Sequence, residues 1–261
     1  MPEERVPHKA KEELLAAVRE AGDLLLSLWP GAPGSPGELE VAQKRDGTLV
    51  SKADLASNEI LMRALHKLFP GDAILSEEVH PDRGILAESP RTWVIDPLDG
   101  TKCFLNGEDQ FSLLLALCER GEPVFGVQLF PARSQLVVAE KGRGARVNGA
   151  VMQVSGESQS RRSHVYLRNF EGRRPELASP MMDSGQAFFR VATGALDGAV
   201  IRMNTLGEWD IAAPIVAIQE AGGRVSDEGG REVKCGLGTL NIQYLIASNG
   251  LNHSELLSLI P

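Results

Sequence analysis

The chain has 261 residues, of which 43% are hydrophobic and 24% are charged, and this composition is typical of a globular protein. Lys and Arg total 27 against 35 Asp and Glu, which gives a formal net charge of −8, and neither half of the chain has a basic surplus. The charge balance argues against binding to a nucleic acid polymer. No apolar run approaches the roughly 18 residues that a membrane helix needs, and the polar, acidic first residues do not resemble a secretory signal peptide.

Cysteine usage indicates a reducing compartment. Cys103, Cys118 and Cys235 are an odd, widely spaced set without a C-x-x-C pair, which argues against a disulfide framework. We therefore expect a cytoplasmic protein without a membrane partner. An acidic protein that acts on an anionic substrate needs local positive charge, such as a bound metal ion, to offset electrostatic repulsion.

The first half of the chain predicts two helices followed by strands. Apolar residues recur at helical spacing over residues 9–28 and 53–68, which predicts two amphipathic helices. Short runs rich in β-forming residues, separated by turn residues, follow. These runs are residues 93–96, 111–118, 123–130 and 135–140. Asn148-Gly149 then predicts a tight turn between strands.

The second half of the chain also mixes helices and strands. A polar stretch rich in Arg and Ser at residues 155–164 predicts a junction between an N-terminal domain, residues 1–155, and a C-terminal domain, residues 156–261. Further elements are predicted beyond this junction. They are helices over residues 186–195 and 209–221, a strand over residues 244–248 and a short helix from about residue 252. Helices and strands in both halves predict a layered α/β fold.

The densest group of chemically active residues follows a predicted strand. The strand delivers Asp96, Pro97 is expected to end it, and Asp99 follows three residues after Asp96, so that both carboxylates can face one point. Gly100 and Thr101 then place backbone N–H groups at a helix N-terminus, which favours an anion. Two carboxylates beside an anion site fit a divalent cation, and ligands with only oxygen donors favour Mg²⁺ or Mn²⁺. A surface turn with a capping Asp is the alternative interpretation.

Three further acidic residues are candidates for the same site. Glu77 follows a short apolar run, Asp210 begins the helix predicted over residues 209–221, and Asp54 lies at the start of the second predicted helix. Each also has a structural interpretation. Glu77 fits a solvated acidic loop, and Asp54 and Asp210 fit helix caps.

Together, these motifs resemble the inositol monophosphatase superfamily, whose members are Mg²⁺-dependent, lithium-sensitive phosphomonoesterases. The motifs are Glu77-Glu78, Asp96-Pro97-Leu98-Asp99-Gly100-Thr101, Trp209-Asp210-x-Ala212-Ala213 and Glu220-Ala221-Gly222-Gly223. They occur in the family's order and spacing, and the resemblance covers roughly residues 10–250. It implies an α/β/α/β/α sandwich in which the N-terminal domain carries most metal ligands and the C-terminal domain closes the substrate site.

The resemblance implies a metal-binding role for five residues. Glu77, Asp96 and the carbonyl of Leu98 would bind one Mg²⁺ ion. Asp96, Asp99 and Asp210 would bind a second ion, and Glu77 would assist a third. The expected cofactor is therefore two or three Mg²⁺ ions per site.

Catalytic and phosphate-binding roles are implied in the same way. Thr101, oriented by Asp54, would position and activate the attacking water, with Glu77 as a further catalytic residue. The amides of Gly100 and Thr101 would hold the phosphate, and Asp210 would also contact the substrate.

The residues after the metal motif favour one substrate class. Gly100-Thr101-Lys102-x-Phe104 resembles the 3'(2'),5'-bisphosphate nucleotidases, which hydrolyse 3'-phosphoadenosine 5'-phosphate to AMP and phosphate. Inositol monophosphatases usually carry Thr-Asn where this chain has Lys102-Cys103, and a lysine suits a substrate with a second phosphate. We therefore predict a bisphosphate nucleotidase. An inositol monophosphatase, a sugar bisphosphatase and a non-catalytic relative are the alternatives.

The predicted substrate wall departs from the relatives. Inositol phosphatases carry a glutamate that binds ring hydroxyls, but residues 198–207 contain no acidic residue, and Arg202 is the candidate substrate contact in this segment. A Gly-Ser/Thr pair of the relatives is altered to Asp183-Ser184, which leaves Ser184 as a candidate contact. Lys44 matches a lysine that relatives bring toward the site, and a solvated loop lysine is its alternative. Relatives are often homodimers, so a homodimer that binds a small phosphorylated substrate is expected.

Overall fold

The structure of the chain, a computed structural model, describes residues 4–33, 41–43, 49–156, 164–168 and 182–260. Within these residues there are seven α-helices, one short 3-10 helix at Pro131–Arg133 and thirteen strands. The helices are α1 (His8–Leu28), α2 (Lys52–Leu68), α3 (Arg83–Glu88), α4 (Thr101–Leu105), α5 (Ser184–Ala192), α6 (Glu208–Glu220) and α7 (His253–Leu257). The strands are β1 (Val41–Gln43), β2 (Leu49–Ser51), β3 (Ala73–Ser76), β4 (Arg91–Asp99), β5 (Ser112–Glu119), β6 (Glu122–Phe130), β7 (Gln135–Glu140), β8 (Gly144–Val147), β9 (Ala150–Val151), β10 (Val165–Arg168), β11 (Gly198–Arg202), β12 (Arg224–Asp227) and β13 (Tyr244–Ser248).

A seven-stranded sheet forms the first β layer. Its strand order is β3-β4-β5-β6-β7-β8-β9, with β3 and β4 parallel and every later pair antiparallel. Helices α1 and α2 pack on one face of this sheet in a buried cluster that includes Trp93 and Phe125. Leu14, Val18 and Ala21 of α1 belong to this cluster, because residues three or four positions apart lie on one side of a helix. β1 and β2 form a separate antiparallel pair.

Helices α5 and α6 form a layer between the first sheet and a second one. All residues of α6 from 211 to 218 are buried, as expected for a helix that is covered on both sides. The second sheet has the strand order β10-β11-β13-β12, and only its β10–β11 pair is parallel. α7 covers the outer face of this sheet, where Leu256 joins a buried cluster with Val200 and Ile246. The layers follow the order α/β/α/β/α, which confirms the predicted fold class.

Most elements predicted from the sequence are present. The helices expected over residues 9–28 and 53–68 are α1 and α2, and the strand expected over residues 244–248 is β13. The turn at Asn148-Gly149 is also confirmed, because both residues have positive φ angles, 48° and 85°, as a two-residue hairpin turn of type I′ requires.

The strand that carries the first two carboxylates differs from the prediction. Pro97 does not end this strand, and β4 continues to Asp99. The register between β4 and β5 shifts between Asp96 and Asp99, so that Pro97 lies at an irregularity in the ladder. Proline has no N–H group to donate, and such irregularities are among the few places where a strand accepts it.

The boundary between residues 1–155 and 156–261 stays a prediction, since residues 157–163 lie outside the described residues. One buried cluster includes side chains from both segments, among them Leu114 of β5 and Leu245 of β13. In the described part of the chain, no helix is long and apolar enough to cross a membrane.

His253 lies at the start of α7 in a buried hydrogen-bonded group with two serines. Its Nε2 is 2.8 Å from the Ser226 hydroxyl, and its Nδ1 is 2.8 Å from the Ser248 hydroxyl. Burial lowers the pKa of His253 from 6.5 to about 4, and the charge of Arg224 lowers it further in the same direction. The folded protein therefore favours the neutral imidazole.

This pKa shift predicts a pH-dependent stability. The neutral imidazole contributes fully above the unfolded pKa of 6.5, and its contribution is lost as the pH falls toward the folded value of about 4. Between about pH 7.5 and about pH 5, the free energy of unfolding of the wild type should fall by roughly 2 kcal/mol more than that of His253→Gln. Urea denaturation of both proteins at each pH measures this difference. A difference that does not change with pH would contradict the prediction.

Candidate active site

Three carboxylates from two distant segments converge at one point. One carboxylate oxygen from each of Asp96, Asp99 and Asp210 lies within 4.8 Å of the other two. In a regular strand, residues three apart point to opposite faces of the sheet. The register shift in β4 changes this alternation and allows Asp96 and Asp99 to face the same site. The irregularity at Pro97 is therefore part of the construction of the site.

Asp210 is supplied by the first turn of α6. Its carboxylate accepts a hydrogen bond from the Gly207 N–H at 2.6 Å, so it caps the helix and also faces Asp96 and Asp99. The same carboxylate therefore caps the helix and belongs to the group of three carboxylates. Glu208, two residues earlier, is buried and accepts hydrogen bonds from the N–H groups of Gly236 and Leu237. These bonds fix the start of α6 to the loop that precedes β13.

The electrostatics of this cluster favour a bound cation. Asp96, Asp99 and Asp210 are only 1%, 5% and 7% exposed. Burial raises the pKa of each carboxyl well above its usual value, and the negative charges of neighbouring carboxylates raise these pKa values further. Buried like charges are costly unless they are neutralised, and a divalent cation with oxygen ligands neutralises them directly. The donor set therefore fits a hard cation such as Mg²⁺.

Glu77 lies close to this cluster but outside the group of three. It directly follows β3, and its N–H donates to the Ile95 carbonyl of β4 at 3.0 Å. Because β3 and β4 are parallel, their carboxyl ends lie at the same edge of the sheet. The charge of Glu77 is the largest contribution after burial to the raised pKa of Asp96, and it also raises the pKa of Asp210.

Thr101 and Asp54 form a hydrogen-bonded pair at the same edge. The Thr101 hydroxyl lies 3.1 Å from Asp54 Oδ1 and 3.1 Å from the Leu98 carbonyl, and both are acceptors for its single proton. The other oxygen of Asp54 accepts hydrogen bonds from the Ser51 N–H at 2.8 Å and the Ser51 hydroxyl at 2.6 Å. Asp54 is thus part of the capping box of α2 and is also a partner of Thr101. Burial raises its pKa, while the hydrogen bonds from Ser51 and Thr101 oppose the rise.

Gly100 occupies a position that only glycine fits. Its φ angle is +82°, and a Cβ atom there would lie 2.6 Å from the Gln110 carbonyl oxygen and 3.3 Å from Asp183 Oδ1. It precedes the short helix α4, whose first residue is Thr101. The first N–H groups of a helix have no partner within the helix, so the Gly100–Thr101 backbone is suited to an anion.

Asp183 is a site residue that the sequence analysis did not identify. It caps α5 by accepting a hydrogen bond from the Gln186 N–H, and its carboxylate lies beside that of Asp99. Burial raises the pKa of Asp183 to about 6. The start of α5 can come this close because Gly185 has no side chain, and a Cβ there would lie 2.5 Å from Asp99 Oδ2. Ser184, a predicted substrate contact, is buried in the first turn of the same helix.

Arg168, rather than Arg202, faces the carboxylates. β10 and β11 are parallel, with Arg168 opposite Ile201, which belongs to the inner cluster between the two sheets. Arg202 is exposed. Because side chains alternate along a strand, it lies on the same face of the second sheet as Val200, which packs with Leu256 of α7 on the outer side. Burial raises the pKa values of Asp99 and Asp210, and the positive charge of Arg168 opposes this rise. The sequence shows Arg168 only as a basic residue after three apolar ones, and this pattern is too common to identify a site.

The structure describes Lys102, a predicted substrate contact, but not Lys44. Lys102 lines a cavity of about 350 Å³ beside Asp183, together with Arg168 and Gln110. Lys44 lies outside the described residues.

Comparisons with known proteins identify the family of this chain. A model of the inositol monophosphatase family matches residues 8–261. The chain is 32% identical over 256 residues to a fructose-1,6-bisphosphatase/inositol-1-monophosphatase of Thermotoga maritima, covering 93% of this chain and 92% of the relative. It is 29% identical over 229 residues to a 3'(2'),5'-bisphosphate nucleotidase of Salmonella typhimurium, covering 84% and 91%. The solved structure of a Thermotoga maritima IMPase superposes with a TM-score of 0.80 at 28% identity, covering 96% of this chain and 95% of that one.

The repulsion within the carboxylate cluster predicts an unusual stability effect. Without metal, Asp99→Asn should raise the free energy of unfolding by roughly 1 kcal/mol, or Tm by about 2–4 °C, because it removes one buried negative charge. The same substitution should remove most of the increase in Tm that Mg²⁺ gives the wild type, because it removes a ligand. Thermal melts in EDTA and in Mg²⁺ measure both effects.

Asp23→Asn is the matched control for this experiment, because Asp23 is an exposed residue of α1. It should change neither the Tm in EDTA nor the response to Mg²⁺. An Asp99→Asn protein that is less stable in EDTA and keeps the full response to Mg²⁺ would contradict the prediction.

Proposed function

This chain belongs to the inositol monophosphatase family of phosphatases, and from that premise we propose that it is a Mg²⁺-dependent phosphomonoesterase whose substrate is a nucleoside 3'(2'),5'-bisphosphate. The observation that carries the proposal is the convergence of Asp96, Asp99 and Asp210 beside the Thr101–Asp54 pair. In metal-dependent hydrolysis of a phosphate ester, carboxylate oxygens can hold the metal ions and a hydroxyl–carboxylate pair can orient the attacking water.

The residues that would hold two or three Mg²⁺ ions are the three clustered aspartates, Glu77 and the Leu98 carbonyl. All of them offer oxygen, the donor that Mg²⁺ prefers. Bound divalent cations would supply Lewis acidity, which favours ionisation of a water and stabilises negative charge on the phosphoryl group. Glu77 supports this assignment through the effect of its charge on the pKa values of Asp96 and Asp210.

Thr101 and Asp54 would orient the attacking water. When the Thr101 hydroxyl donates its proton to Asp54, its lone pairs are free to accept a hydrogen bond from a water O–H. Asp54 is fixed by two hydrogen bonds from Ser51, and its raised pKa makes it a better acceptor for the proton that the water loses. Water attacks phosphorus, the bond from phosphorus to the ester oxygen breaks, and an alcohol and inorganic phosphate are formed.

The backbone at Gly100 and Thr101 would hold the phosphate during this step. Its N–H groups begin α4 and point away from the helix, where they can donate to phosphate oxygens. Glycine at position 100 allows this backbone to pack against the Gln110 carbonyl, which a Cβ atom would prevent.

The choice of a nucleoside bisphosphate is supported by two features. Lys102 follows the phosphate-binding residues and lines the adjacent cavity, where its charge suits a second phosphate. Residues 198–207 contain no carboxylate that could bind the hydroxyls of an inositol ring. A sugar bisphosphate or inositol 1-phosphate is the second candidate, because the relative from Thermotoga maritima is the more similar of the two relatives compared above. Lithium sensitivity and a homodimer stay predictions of the family resemblance, and a cytoplasmic location stays a prediction from the cysteine usage.

The Thr101–Asp54 pair gives the first functional test. Thr101→Val should lower kcat by about 10²- to 10⁴-fold, because it removes the hydroxyl that orients water but keeps the shape of the side chain. Thr101→Ser, which keeps the hydroxyl, is the control and should retain most of the activity. Phosphate release in saturating Mg²⁺ measures both variants. Equal activity of Thr101→Val and wild type would contradict the proposed mechanism.

Substrate choice and metal dependence give the second test. Phosphate release from 3'-phosphoadenosine 5'-phosphate should exceed release from inositol 1-phosphate and fructose 1,6-bisphosphate under matched conditions. EDTA should abolish the activity and Mg²⁺ should restore it. Activity that persists in EDTA would refute the metal-dependent mechanism, and a clear preference for either of the other substrates would refute the nucleotidase assignment alone.

A further inference from the structure

The cavity of about 350 Å³ adjoins the carboxylate cluster at one residue, Asp183. Asp183 forms part of its wall, and the carboxylate of Asp183 also lies beside that of Asp99. Lys102, which directly follows Thr101, lines the cavity from α4, and Arg168 lines it from the end of β10. A substrate whose phosphate lies at Thr101 would therefore extend its remaining part toward Lys102 and Arg168.

The charges in this cavity favour an anion once the metal site is filled. Two acidic residues, Asp183 and Glu108, also line it. Asp183 accepts a hydrogen bond from the Gln186 N–H and faces Asp99, while Glu108 is exposed and accepts one from the Asn106 side chain. Divalent cations would neutralise the carboxylate cluster that Arg168 faces. The charges of Lys102 and Arg168 would then be available to a ligand.

Arg168 is the better of these two cations for recognising a phosphate. A guanidinium group binds phosphate oxygens with two parallel hydrogen bonds, whereas an ammonium group acts as a point charge. Arg168 is partly buried against the layer between the two sheets, and Lys102 is exposed. An interaction at a partly buried site is less screened by solvent than one at the surface.

We propose that this cavity receives the second phosphate of a small bisphosphate substrate, and that Arg168 is the residue that makes the enzyme prefer bisphosphates to monophosphates. This inference rests on the proposed phosphomonoesterase activity and deepens it, because it assigns the second phosphate to a position and to a residue. It applies to a nucleoside bisphosphate and to a sugar bisphosphate alike, since the recognised group is the same.

The test compares substrates that differ only in the second phosphate. One pair is adenosine 3',5'-bisphosphate and adenosine 3'-monophosphate, and the other pair is fructose 1,6-bisphosphate and fructose 1-phosphate. In saturating Mg²⁺, the wild type should prefer the bisphosphate in at least one pair, and that pair identifies the source of the second phosphate.

Arg168→Gln should lower kcat/KM for the preferred bisphosphate by about 10- to 100-fold, mainly through KM. It should lower kcat/KM for the matching monophosphate by a clearly smaller factor, because that substrate has no second phosphate for Arg168 to bind.

Three further variants make the result specific. Arg168→Lys keeps the charge without the planar group and should lose only part of the preference. Arg190→Gln removes one positive charge from an exposed position of α5 and should leave the preference unchanged. Arg202→Gln, on the outer face of the neighbouring strand, should also keep the preference. Thermal melts of Arg168→Gln in EDTA and in Mg²⁺ check separately that this variant folds and binds metal.

The outcomes distinguish a failure of the role proposed for Arg168 from a failure of the proposed phosphatase activity. If the wild type hydrolyses both members of each pair with equal efficiency, or if Arg202→Gln rather than Arg168→Gln removes the preference, the inference is overturned while the phosphatase assignment stands. If the wild type hydrolyses none of the four substrates in Mg²⁺, the proposed function fails and the inference fails with it. A loss of bisphosphate preference confined to the Arg168 variants supports it.

Discussion

The site depends on holding several carboxylates at one buried point. Asp96, Asp99 and Asp210 repel one another, and Glu77 and Asp183 add further negative charge beside them. Burial makes this repulsion stronger, because water is not available to screen it. An arrangement of this kind is stable only if the surrounding fold holds it or if a cation neutralises it. The layered structure supplies the first condition, and the donor chemistry is suited to the second.

Separate local devices hold these side chains in place. The irregularity at Pro97 allows Asp96 and Asp99 to leave one strand toward the same site, although they are three residues apart. Asp210 is fixed because it caps α6, and Asp54 is fixed in the same way in the first turn of α2. In both helices a carboxylate in the third position satisfies the backbone N–H that precedes the helix. The same hydrogen bonds that begin the helices therefore also orient the side chains of the site.

The middle helical layer joins the two sheets at this site. Gly185 allows the start of α5 to approach Asp99, and Glu208 connects the start of α6 to the loop before β13. The carboxylates therefore lie where α5, α6 and the first sheet meet. A cation bound at this point would contact both sequence segments, so metal binding and the packing of the two segments are expected to support each other.

How much could be predicted from the sequence depended on the range of the interaction. The periodic leucines of α1 and the Asn148-Gly149 turn are local patterns, and they predicted their elements correctly. Asp96 and Asp99 were paired through their spacing, Asp210 was assigned to the same metal site through the family resemblance, and the structure brings all three together. Asp183 and Arg168 could not be found in this way. Their positions follow from the approach of α5 to Asp99 and from the pairing of β10 with β11, which no local pattern contains.

Arg202 is a residue that the sequence indicated as a substrate contact but that the structure places away from the carboxylates. It lies in the segment that the family resemblance indicated. However, side chains alternate between the two faces of a strand, and Arg202 is two residues after Val200, so both lie on the outer face. A shift of one residue in strand register decides which face a side chain occupies. The sequence identified Arg202 as a candidate but could not show which face of the sheet its side chain occupies.

The most direct test of the account is to locate a metal ion in the crystalline protein. Crystals grown with Mn²⁺ in place of Mg²⁺ allow the ion to be identified from its anomalous scattering. Peaks are expected within about 2.0–2.5 Å of carboxylate oxygens of Asp96, Asp99 and Asp210. An active enzyme whose crystals show ordered Mn²⁺ elsewhere and none at this cluster would show that these three aspartates do not bind the catalytic metal.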